Sequence, residues 1–157
     1  MAEKEKCGIE LKLLKTILYG VEKALWDALG KGSLAFTPFI GEKIYEEVGQ
    51  QFGKRIENSS LQELLEEIGR FYTEKTGFSK SFRTEITDSR YTLYVEGCQL
   101  MDVEKKLIED GVTPFICPLM NSVAYLVRKK LGVKSRITEI NVDPERAVCK
   151  LSFEVIK

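Results

Sequence analysis

Four cysteines, Cys7, Cys98, Cys117 and Cys149, carry most of the chemistry this sequence can offer. Histidine is absent, which removes the usual general base near neutral pH and the commonest metal-binding ring. A Ser-His-Asp or Cys-His relay within the chain is therefore excluded. Proton transfer would fall to Cys, carboxylate, Lys or Tyr, and any metal to Cys, Asp or Glu. No CxxC pair exists, so the spacing that marks a zinc ribbon or a dithiol redox motif is missing. Each thiol taken alone reads as a small buried hydrophobe, and this is the reading for Cys7. The other three fall at the ends of predicted elements. Cys98 ends a strand, Cys117 directly precedes a helix, and Cys149 lies early in the last strand. A thiol at a helix start has its thiolate favoured by unpaired N–H groups. Three thiolates gathered from such places could hold zinc, with Glu96, Glu139 or water as a fourth ligand. The same sulfurs could equally touch an organic ligand beside apolar walls.

The elements that must position these residues follow from periodicity. Leu11, Leu14, Leu18, Val21, Leu25 and Leu29 recur at helical steps, with Lys12, Lys15, Glu22 and Lys23 between them, predicting an amphipathic helix over 9–29. A second helix is predicted over 39–53, weakened by Gly41, Gly49 and Gly53 unless these allow close packing. Asn58, Ser59 and Ser60 can cap a third over 61–76, stopped by Gly77. The period then changes to two. Strands are predicted at 79–87 and 91–98 around a turn at 88–90, then helices at 101–109 and 118–131. Strands at 135–142 and 147–156 close the chain around Asp143-Pro144-Glu145-Arg146. The order ααα-ββ-αα-ββ implies an α+β fold, an antiparallel sheet of about four strands packed against helices. At 157 residues the expectation is a single domain over 1–157, helical over 1–77. Alternation turns Cys149 to the core side of its strand. Cys98 falls on the more polar side with Tyr94 and Glu96, unless a bulge at Gly97 re-aims it.

Composition narrows the function classes. Lys+Arg and Asp+Glu are 24 each, so no global field favours nucleic acid. The basic run Arg128-Lys129-Lys130 falls at a helix end, where it reads as a solvated face. Residues 1–6 carry no leader-like apolar stretch, and no run approaches the roughly 20 apolar residues of a spanning helix. A cytoplasmic protein with reduced thiols and no membrane contact is expected. Phosphate-binding glycine loops are absent. Glu46-Glu47 and Glu66-Glu67 read as exposed helical faces, and Phe36, Phe39, Tyr45, Phe52, Phe71 and Tyr72 as core or as walls of an apolar pocket. No recognisable enzyme active site emerges.

The stretch Glu96-Gly97-Cys98, then Cys117-Pro118 opening a helix, then Ala147-Val148-Cys149-Lys150-Leu151-Ser152-Phe153 resembles the 4-vinyl reductase domain family, also called the hydrocarbon-binding domain, in its stand-alone archaeal form. The resemblance covers about 78–157. It implies a fold shared with TRAPP-complex trafficking subunits, which often form homodimers around an apolar tunnel. It further implies a sensor of small hydrophobic molecules, with Cys98, Cys117 and Cys149 as a metal site, for which zinc is the expected ion. Cys7 has no counterpart. No ATPase or DNA-binding segment accompanies the resemblance, so no direct transcriptional role is expected. An assembly dimer of the TRAPP type, with 9–29 and 39–53 as its face, is the alternative. A thiol- or metal-dependent enzyme on a hydrophobic substrate is the third option, favoured if the Cys117 thiol has a low pKa.

Overall fold

The computed structural model describes residues 2–53, 56–57 and 59–157, with side chains from Gly8 onward. The reading of Cys7 as a buried hydrophobe, and the part of Asn58 in a helix cap, lie outside the described residues. α1 (Ala2–Leu29) runs into a 3-10 turn (Gly30–Phe36), followed by α2 (Thr37–Val48) and a second 3-10 turn (Gly49–Gln51). α3 (Leu61–Arg70) widens into a π turn (Phe71–Lys75). The hairpin of β1 (Ser81–Ile86) and β2 (Arg90–Glu96) precedes α4 (Met101–Glu109) and α5 (Pro118–Leu131). β3 (Ser135–Asp143) and β4 (Val148–Val155) close the order. The α+β architecture expected from the sequence is the one observed.

Local chemistry explains most boundaries. Ser60 and Glu63 form a reciprocal capping box, with the Ser60 N–H donating to Glu63 Oε2 at 2.8 Å, which starts α3 and drives Leu64, Leu65 and Ile68 fully into the core. Pro118 occupies the first turn of α5, and Gly132 at φ +66° ends it. α2 packs along α5 at Gly41, where any Cβ would strike the Asn121 carbonyl. That close approach accounts for a glycine inside a helix.

The sheet is antiparallel in the order β1-β2-β4-β3. Its inner face carries Tyr91, Leu93, Val95, Cys149, Leu151 and Phe153, all buried against α3 and α5. Its outer face carries a polar mesh, in which Arg83 lies over Tyr94 at 3.9 Å and Thr92 meets Ser152 at 3.2 Å.

α1 departs from expectation. Leu11, Leu14, Val21 and Leu29 of the predicted stripe are exposed, and only Leu18 and Leu25 are half-buried. The side that packs inward presents Tyr19, Glu22 and Trp26 toward α4 and the small cluster of Val103, Leu107 and Val112. Lys15 pairs with Asp102 at 2.9 Å and the Tyr19 hydroxyl donates to Asp110, so polar contacts join α1 to the α4 region. Phe36 and Phe39 are also exposed, on the outer side of the first 3-10 turn and α2, whereas Phe52 stacks on Phe71 at 4.1 Å in the core. Glu67, expected on a wet face, is buried beside Gly53 and paired with Arg70 at 2.9 Å.

Candidate functional site

The ladder between β2 and β4 ends in two left-handed residues. Gly97 at φ +63° follows Glu96, and its N–H donates to the carbonyl of Ala147, itself at φ +54°. Strand alternation stops at Gly97, and Cys98 turns into the core at 5% exposure instead of continuing on the polar face. Its sulfur accepts from the Leu100 N–H at 3.4 Å, and its carbonyl accepts from the Met101 N–H as α4 begins. Cys149, opposite Val95 and Val142, points to the same interior, as alternation predicted.

Cys117 is the N-cap residue of α5, in extended backbone at φ −128°. The N–H groups of Leu119 and Met120 favour its thiolate, but burial outweighs them and Cys98 and Glu104 add repulsion, so the thiol lies well above its ordinary pKa. Burial likewise raises Cys98 to about 12 and raises Cys149 further, with Glu104 the next contributor in both. All three are free thiols. At neutral pH they are protonated and poor nucleophiles, contrary to the low Cys117 pKa that a thiol enzyme would need.

The carboxylates the sequence nominated are elsewhere. Glu96 is exposed and accepts from Ser81 at 2.9 Å, and Glu139 accepts from Lys150 and Ser152 on the outer face. Alternation places both on the side of the sheet away from Cys149. Glu104 of α4 stands inside instead, 3% exposed, with the Cys149 S–H donating to its Oε2 at 3.2 Å. Its pKa is raised by burial. Cys98, Cys117, Cys149 and Glu104 are thus within electrostatic reach of one another. Among the described residues, no three such donors stand in a ready coordination shell, and no lysine or arginine is buried.

A second acid supports the segment that carries Cys117. Glu22 of α1, 1% exposed, accepts the N–H groups of Phe115 and Ile116 at 2.7 and 2.8 Å with one oxygen. From the other side Asn121 Nδ2 donates to the Phe115 carbonyl at 3.0 Å. Glu22, expected among the wet-side charges of its helix, is buried instead. Burial lifts its carboxyl to about 7, against the pull of the two N–H donors. The sequence did hold a signal for both acids. Glu104 lies four residues after Leu100 and three before Leu107, and Glu22 lies four after Leu18 and three before Leu25, so each interrupts an apolar stripe.

These features define an α+β domain with a buried thiol–carboxylate cluster at the end of its sheet. The chain belongs to the family described as "Putative rubredoxin C-terminal domain", whose model matches residues 12–152; the family matched is this one rather than the 4-vinyl reductase domain. It is 24% identical over 154 residues to an uncharacterised protein of Methanocaldococcus jannaschii, covering 96% of this chain and 91% of that one. Its fold is similar to the phenol-responsive sensory domain of the transcription activator PoxR, solved with phenol, at a TM-score of 0.54 and 14% identity, over 90% of this chain and 74% of that one. No helix among the described residues is long and apolar enough to cross a membrane.

Proposed function

We propose that this protein binds a small organic molecule and carries a zinc site formed by Cys98, Cys117, Cys149 and Glu104. The observation behind it is the gathering of three thiols and a carboxylate from three distant segments, Cys98 and Glu104 sharing one of them, buried with no buried cation among the described residues to oppose them. Three thiolates and one carboxylate match zinc in number and type, and because no three of them stand ready as a shell, they would have to close about the ion as it binds. The burial that keeps these groups protonated is a cost a divalent cation would offset, and the ion would supply a fixed positive charge to the interior. The chain's own part is positional. The Gly97–Ala147 hydrogen bond holds Cys98 beside Cys149, and Glu22 with Asn121 holds the approach to Cys117.

Small-molecule sensing is supported by the fold likeness to a phenol-responsive domain. Protonated thiols favour binding over catalysis. A cytosolic setting, which keeps thiols reduced, suits the cluster. A homodimer through α1 belongs to the same reading, because Ile9, Leu13, Leu14 and Ile17 leave an apolar stripe exposed.

Metal analysis of protein purified without a histidine tag tests the site. About one equivalent of zinc per chain is expected, lost on Cys98→Ser, Cys117→Ser or Cys149→Ser and reduced on Glu104→Gln. Less than roughly half an equivalent in the native protein, or no loss in the variants, refutes it. Phenol should raise the unfolding temperature by mass action.

A further inference from the structure

Between the 3-10 turn ahead of α2, the outer half of α5 and the β3–β4 strands lies a cavity of about 500 Å³, within the size range of small-molecule sites. None of the three cysteines, nor Glu104, lines it. Its walls are apolar, from Leu34, Pro38, Ala124, Ile137, Phe153 and Ile156. Phe153 is braced by Tyr91, stacked on it at 4.8 Å, and the Tyr91 hydroxyl is held by Ser135 at 2.7 Å. That wall is formed before any ligand arrives.

The charges lining the cavity are of one sign. Arg128, Lys134 and Arg136 line it, and no Asp or Glu does. Arg136 is satisfied by Glu154 at 2.6 Å. Arg128 and Lys134 have no carboxylate partner among the described residues. Thr37 lines the same cavity, and its buried hydroxyl has no hydrogen-bond partner among the described residues, a condition folded proteins rarely leave unanswered. The run Arg128-Lys129-Lys130, read from sequence as one solvated face, is therefore divided. Lys130 reaches Glu57 at 2.6 Å, while Arg128 faces the cavity. A neutral hydrocarbon would satisfy the walls but give the buried hydroxyl no partner and the two exposed, water-facing cations no counter-charge.

We infer that this cavity takes an organic monocarboxylate, an aromatic or aliphatic acid whose body lies against Phe153, Ile137 and Leu34 and whose carboxylate meets Arg128 and Lys134. The planar guanidinium suits two-point contact with a carboxylate, and the Thr37 hydroxyl is a donor for one of its oxygens. The inference rests on the reading of the protein as a small-molecule binder and adds the ligand's charge to it.

Calorimetric titration of the full chain with benzoate and 4-phenylbutyrate, each paired with its alcohol, benzyl alcohol and 4-phenylbutanol, tests this. The acids should bind on the order of tenfold tighter than the alcohols, the difference expected of a charge-assisted contact. Arg128→Gln combined with Lys134→Gln should weaken the acids about tenfold and leave the alcohols unchanged. Ala124→Trp, which fills the cavity, should abolish binding of both. Alcohols binding as tightly as acids, or acids indifferent to the double substitution, overturns the inference. Phenol and the alcohols binding without the acids would sink it and leave the small-molecule reading standing. Binding by no probe would remove both. If a variant fails to fold, the acid-to-alcohol ratio of the native protein and its decline with added salt still decide.

Discussion

Glu22 accepts two main-chain N–H groups with one oxygen, yet the two donors do not offset the loss of water around its carboxyl. The unfolded chain titrates this group near 4.5, and the folded chain near 7. Between those values the folded protein keeps a proton that the unfolded protein has released. The stabilisation tied to that proton is complete below about pH 4.5 and is lost as pH rises through 7, by roughly 3 kcal/mol in all. Glu22→Gln keeps an acceptor for the Phe115 and Ile116 N–H groups and removes the titration. In chelator-treated protein, urea midpoints measured between about pH 5 and pH 8 should fall steeply for the native chain and less steeply for the Gln variant, in which the raised Glu104 carboxyl still titrates, and the variant should be the more stable near pH 8. An unchanged slope in the variant would show that the pH dependence arises elsewhere.

The turn from β3 into β4 ends at Ala147, held left-handed at φ +54° opposite Gly97 at φ +63°. The left-handed conformation costs an L-residue about 1–2 kcal/mol. Ala147→Gly should therefore stabilise the protein by about 1 kcal/mol, although glycine weakens most strand-flanking positions. Gly97→Ala should do the reverse by at least that amount, because its Cβ would also meet the Lys80 side chain. Two facing substitutions with opposite signs, read by urea unfolding, separate backbone conformation from general tolerance at this corner. The same corner shows where sequence reasoning stops. The bounds of α4 and α5 were readable because glycine and proline mark them locally, at Gly111, Pro118 and Gly132. The inward turn of Cys98 was readable only as an alternative, since alternation says nothing past a left-handed glycine. Strand alternation points to Glu96 and Glu139 as neighbours of the cysteines, whereas Glu104 sits on a helix one turn past Cys98, where alternation has no reach. An acid in an apolar stripe reads as wet until the element covering it is known. For Glu104 that cover is β4, 45 residues downstream at Cys149.

α1 extends over 28 residues, about 42 Å at 1.5 Å per residue, and its two sides have opposite relations to the rest of the chain. One side supplies Glu22 to the Cys117 segment and Lys15 to Asp102. The other leaves Ile9 at 70%, Leu13 at 59%, Leu14 at 64% and Ile17 at 53% exposure. Ile9, Leu13, Ile17 and Val21 follow one another at four-residue steps, a straight ridge of the kind that packs into the groove of another helix. A second copy supplies that ridge by symmetry, since an isologous contact requires one self-complementary patch and no new surface. Such a dimer would place the partner against the helix that carries Glu22, so association and the cysteine cluster would share one rigid element. Light scattering on the full chain should give twice the chain mass at micromolar concentration. Leu13→Glu with Ile17→Glu should give monomers with unchanged helix content by circular dichroism, because neither side chain contributes to the core. A native chain that stays monomeric as its concentration rises to about a millimolar, where even weak pairs associate, would leave that ridge facing water and remove the dimer from the proposal.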